Sequence, residues 1–586
     1  MKTLNEILKI VDKPSRYTGG EYNDKVTEKD FNYCICFPDV YEVGMSNLGI
    51  KIVQSAIESV QGASVDRCFA PWQDFGKQLK ENQIELYSLG LKKPLKQFDM
   101  LGFSLQYEMS YTTILYMLDL ANIPLYAKDR GEEYPIIQGG GPCACNSEPI
   151  ADFFDLFVVG DGEEVMAELT RLALEKLPKK EFLAKASKLD GVYVPSMVEV
   201  VEENGKITAF SSSVKKAVCK DLNNAVYPEK FLVANTEAVF DRAVIEVMRG
   251  CYRGCRFCQA GFIYRPVRNK SVDVLVKQAK SIVESTGFEE MSMNSLSTGD
   301  YCHLKELITR IKEEIGQVKL SLPSLRIDSF EGDMTENLRR GSLTFAPEAG
   351  TQRLRDVINK DISDEEVENC FKSAFNAGYS SIKLYFMLGL PTETNEDLQG
   401  IADMVKRIRD IYAQKKNRLN SLRISVSVST FIPKPFTPFQ WEKQATKEEV
   451  EAKVAYLHNA LRMKGVSFSW NDYELSQAEA VLARGDRRLS KLLETVYRNG
   501  SFMEGWSDFF VKENWQQAYD ECGINPEKYT GEQVIDGLLA WDMIDMYIDK
   551  KFLLSERQKA YNGCSSKGCK HSCQACGIQK IYRCER

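Results

Sequence analysis

At 586 residues the chain exceeds what one hydrophobic core organises, and a prior of one domain per roughly 100 to 200 residues suggests about three or four units. Its 44% apolar and 27% charged residues are ordinary globular composition, which excludes disordered and collagen-like classes, and a net charge of −7 argues against a nucleic-acid binder that works by bulk electrostatics. No stretch approaches the roughly 18 apolar residues of a membrane span, and the charged start MKTLNEILKIVDKPSRY lacks the apolar core of a signal peptide. A cytoplasmic protein with no membrane partner is expected, and in that reducing setting 17 cysteines point to metal or redox chemistry more than to disulfides.

In chain order, residues 1–180 read as alternating strands and helices. Strands are expected at Asn32–Phe37, Ser64–Phe69, Phe98–Leu105, Pro135–Gln138 and Phe154–Val159, with a helix from about Leu48 to Val60. This is the grammar of a Rossmann-like, doubly wound parallel sheet. Residues 181–240 shift to short β-prone runs, Val192–Val194 and Met197–Val201, broken by a turn at Asn204-Gly205, and are expected to form a connector. A second series over residues 241–470 has strand candidates Ala243–Met248, Glu290–Met293, Lys319–Leu322, Leu343–Ala346, Ser381–Leu388 and Leu422–Ser429. Six strands with helices between them predict a partial TIM-like (β/α)6 barrel. Residues 471–586 read as a mostly helical extension with a cysteine-rich tail.

The strongest local signal is RGCYRGCRFCQAG, where Cys251-x3-Cys255-x2-Cys258 directly follows the first barrel strand. Thiolates are the soft ligands that iron–sulfur clusters need, and one loop at this spacing can face three irons of a [4Fe-4S] cubane. The fourth iron is left open for a second molecule. Zinc would want a fourth ligand nearby, and after Cys258 no Cys or His follows until Cys302 and His303.

At these residues the chain resembles the radical S-adenosylmethionine (SAM) superfamily. Further segments resemble a bacterial branch of B12-binding-domain radical SAM proteins: KPSRYTGGEYN, FAPW at Phe69–Trp72, NSLSTGDY, SLPSLRID, LTFAPEAGTQRLR, KLYFMLGLPTET, FIPKPFTPFQW and LARGDRR. The resemblance implies an enzyme that binds SAM at the open iron and cleaves it reductively, yielding methionine and a 5′-deoxyadenosyl radical. A low-potential ferredoxin or flavodoxin would supply the electron. By position, it places Phe257 beside the adenine, Ser297, Thr298 and Gly299 at the methionine end, Arg326 and Glu348 near the amino acid or ribose, and Gly389 where backbone approaches adenine. The substrate is not implied, and RNA and protein both stay open.

QGGGPCACNSEPIADFFDLFVVGDGEE, from Gln138 to Glu164, resembles the end of a cobalamin-binding domain, with Gly139, Gly140 and Gly141 at a strand end where backbone could approach a ligand. The lower-ligand signature Asp-x-His-x-x-Gly is absent, and His303, His458 and His571 are the chain's three histidines. Two readings stay open: the domain binds cobalamin without a histidine, favouring methylation, or it keeps the fold and has lost the cofactor. Methylthio transfer is disfavoured because Cys34, Cys36 and Cys68 do not resemble the cysteine triad of those enzymes in context. Cys143 and Cys145 read as small buried residues.

The tail GCSSKGCKHSCQACG sets Cys564, Cys569, Cys573 and Cys576 at spacings x4, x3 and x2. It is expected to hold structural zinc or a second Fe-S cluster, with His571 and Cys584 as alternative ligands. The rival from another class is a non-catalytic iron–sulfur or RNA-associated binding protein of the same fold. In that case Arg265, Arg268, Lys270 and the Arg484, Arg487, Arg488 group would contact phosphate, against the plainer reading of a solvated face.

Overall fold

A computed structural model describes residues 1–203, 206–316, 318–322, 326–329, 342–416 and 419–584. The expected turn at Asn204-Gly205 lies outside these residues. The first sheet contains β1 (Phe31–Phe37), β2 (Ala63–Phe69), β3 (Met100–Ser104), β4 (Ile136–Gly140), β5 (Leu156–Val158) and β6 (Val192–Tyr193) in the order β2-β1-β3-β4-β5-β6. All pairings are parallel except β5 with β6. β1, a central strand, is buried along its whole length, and so is β2 although it forms one edge of the sheet, as expected of parallel strands covered on both faces. The Leu48–Glu58 helix, started by Asn47, whose side chain accepts from the Ile50 N–H, packs beside the sheet. Val192–Tyr193, expected in a connector, instead closes the sheet as its antiparallel sixth strand.

The second βα series forms two parallel sheets. One holds β7 (Ala243–Glu246), β8 (Glu290–Asn294) and β9 (Lys319–Ser321). The other holds β10 (Leu343–Glu348), β11 (Ser381–Leu388), β12 (Arg423–Thr430) and β13 (Val466–Trp470). β13 extends the six-stranded expectation by one parallel edge strand. Its crossover helix Lys447–Ala460 starts with a Thr446/Glu449 capping box, and the Asp364–Asn376 helix does the same with Ser363/Glu366.

The carboxy-terminal extension is largely helical and returns to the first domain. Its Leu489–Arg498 helix packs on the Tyr111–Leu120 helix, and Ile544–Asp545 pairs in parallel with Val214–Lys215. One continuous hydrophobic core therefore spans residues from both ends of the chain. Glu504, deep in that clamp, accepts from Trp515 Nε1 at 2.6 Å and from Thr112 Oγ1 at 2.9 Å. Burial pushes its carboxyl up to about 7. Among the described residues no helix is long and apolar enough to cross a membrane.

Candidate active site

The Cys251–Cys258 loop follows β7 and the short strand Met248–Arg249, at the carboxyl end of the barrel strands, where barrel sites lie. The loop is fastened by its own arginines. Arg253 takes Asp300 through Nε and Nη2, at 2.9 and 2.6 Å, and reaches Asp328 at 2.9 Å. Arg256 is fully buried; it donates to Glu556 Oε2 from Nε at 3.2 Å and Nη2 at 3.1 Å, and to the Val357 and Cys564 carbonyls at 2.8 Å each. Asn359 Nδ2 adds a bond to the Gly254 carbonyl at 3.0 Å. Forked guanidinium contacts of this kind fix geometry as well as supply energy.

The three thiols are half-buried. Burial, reinforced by Cys255, pushes Cys251 up to about 12 and Cys258 up to about 11. Such thiols stay protonated and inert unless a metal displaces the proton. Among the described residues no three His, Cys, Asp or Glu side chains gather closely enough to hold a single ion. A cubane asks for something wider, since each thiolate binds a different iron. Three soft donors on one braced loop, with Arg326 and Lys360 adding positive charge beside Cys255 and Cys258, fit such a cluster.

Other expected site residues divide into two groups. Phe257, Arg326 and Glu348 stand around the triad loop. Lys360 lies 5.8 Å from the Phe257 ring centroid and donates to Glu348 Oε1 at 3.2 Å, while Arg326 donates to the Lys360 carbonyl at 2.8 Å and to Asp328 at 3.0 Å. Glu348 sits at a φ of 68°, a strained backbone for a residue with a side chain, of the kind found at functional sites. Burial raises its carboxyl above the usual range even beside Lys360.

Ser297 and Thr298 are buried and turned into their own loop. Ser297 Oγ donates to Asp300 at 2.6 Å and Thr298 Oγ1 to the Met293 carbonyl at 3.2 Å, with Gly299 in the same turn. The Ser297 side chain thus supports the carboxylate that holds Arg253, and Thr298 pins the turn to the end of β8. Gly389 ends β11 at a φ of 79°, where a Cβ would crowd Ala445. Lys360 and Asn359 carried no motif signal; they act through contacts with a loop about a hundred residues earlier in the chain.

A cavity of about 630 Å³ lies between the first sheet and the barrel. Tyr33, Ser104 and Gly140 line it from the sheet, Ser292, Asn294 and Ser295 from the barrel, and Gly250 carries it to the edge of the triad loop. Gly140 has only ordinary contacts around a notional Cβ, whereas Gly139 packs on Phe157 and Gly141, at φ 125°, presses on the Leu105 carbonyl. Arg249 ties the two domains beside this space, bonding Glu246 at 2.8 Å, Asp161 at 3.0 Å and Glu163 at 2.6 Å. None of the three histidines lines the cavity, and all are exposed.

Of the basic groups expected to face solvent or phosphate, Arg488 alone is exposed and Arg487 is half-buried. Arg265, Arg268, Lys270 and Arg484 are buried. Arg268 pairs with Asp161 and bonds the Cys219 carbonyl, Arg487 bonds Glu148 and Tyr193, and Arg488 pairs with Asp486. Internal carboxylates and carbonyls, which a net charge count does not reveal, occupy Arg268, Arg487 and Arg488.

Residues 245–405 match the model of the Radical SAM superfamily, and residues 49–195 match a second model, Radical SAM proteins, N-terminal. The chain belongs to the radical SAM superfamily. As a radical SAM enzyme it works with a [4Fe-4S] cluster, SAM and a reductant. Uncharacterized protein MJ0966 of Methanocaldococcus jannaschii is 29% identical over 84% of this chain and 97% of its own length. The threonylcarbamoyladenosine tRNA methylthiotransferase MtaB of Aquifex aeolicus is 21% identical over 44% of this chain and 62% of its own. Among solved structures, the radical SAM methyltransferase TsrM of Kitasatospora setae, with cobalamin and a [4Fe-4S] cluster bound, aligns with a TM-score of 0.50 at 11% identity. It covers 84% of this chain and all of that one. At that identity the likeness concerns the fold alone.

Proposed function

We propose that Cys251, Cys255 and Cys258 ligate the cluster, that Phe257, Arg326, Glu348 and Lys360 border the SAM it binds, and that the enzyme transfers a methyl group by way of cobalamin. When bound, the cluster supplies the electron that splits SAM. The observation that carries the methyl-transfer reading is the cavity that joins the carboxyl ends of β3 and β4 to the barrel beside Gly250. Ligands of doubly wound sheets bind at such strand ends. There Gly140 leaves room for a large planar group, Tyr33 offers an apolar wall, and Asn294 and Ser295 offer hydrogen bonds toward a substrate from the barrel side.

Methylthio transfer would need thiols facing this space. Tyr33 and Ile35 line it, while Cys34 and Cys36 alternate to the other face of β1 and join Cys68 in the core. Burial holds all three thiols above their ordinary range. The electron donor in this reading is a ferredoxin or flavodoxin. RNA or protein is the substrate class, in keeping with relatives named for tRNA and for ribosomal protein uS12.

Anaerobic titration with hydroxocobalamin tests the proposal. Stoichiometric binding is expected, and the reduced cob(II)alamin EPR spectrum should carry no nitrogen hyperfine pattern from a protein imidazole. Gly140→Leu should abolish binding while leaving iron content unchanged. Failure of the wild-type protein to bind, or full binding by the leucine variant, would refute the assignment.

A further inference from the structure

The tail cysteines form a second group, and its membership differs from the sequence expectation. Cys569, Cys573, Cys576 and Cys584 line one small cavity together with Arg265, and Cys251 of the triad loop lines it too. Cys564 is not among the lining residues. Its thiol is exposed, and its carbonyl serves Arg256 instead.

Two further observations point to an occupant. Arg265 is 3% exposed; its Nε donates to the Gly261 carbonyl at 3.0 Å, but its Nη1 has no hydrogen-bond partner. Its guanidinium lies against the Cys576 and Cys569 thiols. The guanidinium also stands 4.6 Å from the Phe262 ring centroid, and no carboxylate pairs with it among the described residues. A buried cation lining this cavity is best balanced by negative charge, which four thiolates around a metal centre provide and four protonated thiols do not. The second observation concerns docking. The Cys569 N–H donates to the Tyr252 carbonyl at 2.7 Å, and a Cβ on Gly568 would stand 3.0 Å from that same oxygen. The segment after the Lys550–Tyr561 helix therefore lies directly on the triad loop, although its one regular element is the Ile578–Lys580 turn. A segment with so little core of its own is typical of metal-organised folds.

Four thiolates suit either tetrahedral zinc or an iron–sulfur cluster. What favours the cluster is position: Cys251 of the triad loop lines the same small cavity as the four tail cysteines, and a redox-active centre has a use beside a first cluster that structural zinc does not.

We propose that Cys569, Cys573, Cys576 and Cys584 ligate a second iron–sulfur cluster, set against the first across the Cys251 wall. The tail site stands on its own residues; its nearness to a first cluster rests on the triad reading above. With four protein ligands this cluster has no iron open to SAM, which leaves it an electron-transfer role. A one-electron donor of the low-potential class that the reaction needs would reduce it. It would return to its oxidised state by passing that electron to the first cluster, with no bond or proton exchanged.

The test uses full-length protein reconstituted anaerobically with iron and sulfide. Wild type should hold about eight irons, as two cubanes require. Cys584→Ser and the Cys569→Ala/Cys573→Ala double variant should each retain about four, Cys255→Ala should retain a different four, and Cys564→Ala should keep all eight. An unchanged far-ultraviolet circular dichroism spectrum of Cys584→Ser would show that the variant is folded. The reduced wild type should show spin–spin splitting in its EPR spectrum that disappears in either single-cluster form. Iron loss in Cys564→Ala but not in Cys584→Ser would overturn the ligand set. Zinc in place of the second four irons would overturn the cluster, and two unsplit signals would overturn the contact between them.

Discussion

The triad loop and the tail both present cysteines at short spacing, yet the protein treats them differently. The triad loop is held before any metal arrives: Arg253 reaches Asp300 and Asp328, Arg256 reaches Glu556 and two carbonyls, and Asn359 closes the Gly254 end. The tail segment is fastened mainly through its backbone, from Cys569 to Tyr252, from Asp549 to Cys576 and from Ser566 to the Asn359 side chain, with Lys570 on the Asp300 carbonyl and a surface pair of Lys580 with Asp549. No buried guanidinium fork holds its four cavity cysteines among the described residues. Preorganisation suits a site whose open iron must meet a substrate in a set geometry. A site that only has to hold its metal can let the metal do the ordering.

Removing Arg256 is the strongest way to break this contrast. Arg256→Ala takes the buried guanidinium from Glu556, which keeps Lys559 at 2.7 Å and Ser566 at 2.9 Å, and strips the Val357 and Cys564 carbonyls of their donor. The cost should fall at the lower end of the roughly 3–5 kcal/mol seen when a buried pair is broken. Urea unfolding should show that loss, and the triad loop should then become as protease-sensitive as the metal-free tail. Unchanged stability would mean that the loop is not held in the way described.

Glu504 supplies a control remote from both cysteine groups. Its folded-state pKa is raised to about 7 by burial, so its contribution is fully present below the ordinary carboxylate value of roughly 4.3 and is lost as pH rises through about 7. A shift of this size corresponds to about 3–4 kcal/mol. Stability measured in urea should fall over that window in the wild type, and Glu504→Gln should flatten the fall without altering iron content. A smaller effect is expected from Arg253→Lys, which keeps the charge but loses the fork on Asp300. SAM cleavage should drop by about tenfold, equivalent to roughly 1.4 kcal/mol, with the iron retained. Equal loss of iron and activity would instead make Arg253 part of metal retention.

The strands of both βα series were legible because their apolar runs are local. Leu343–Glu348 and Ser381–Leu388 lie within two residues of their expected bounds. What depended on distant partners was not legible. Val466–Trp470 is an edge strand with Trp470 46% exposed, so it lacks the apolar run that marked its neighbours, and Val192–Tyr193 is too short to announce that it belongs to the first sheet. Arg268 looked like solvated charge because its partners, Asp161 and the Cys219 carbonyl, come from earlier segments. The spacing around Cys251 singled out the triad, while its fastening to Glu556, 300 residues away, left no mark. In the tail, proximity along the chain favoured Cys564, whereas the turn at Ile578–Lys580 brings Cys584 back to the cavity instead.

The most direct measurement is product analysis of the anaerobically reconstituted enzyme with SAM and a strong reductant, comparing wild type with Cys255→Ala. The wild type should release 5′-deoxyadenosine or S-adenosylhomocysteine. In the variant both should fall to background while the tail keeps its metal, because two thiolates cannot retain a cubane with one open iron. Undiminished turnover in Cys255→Ala would contradict the account at its centre.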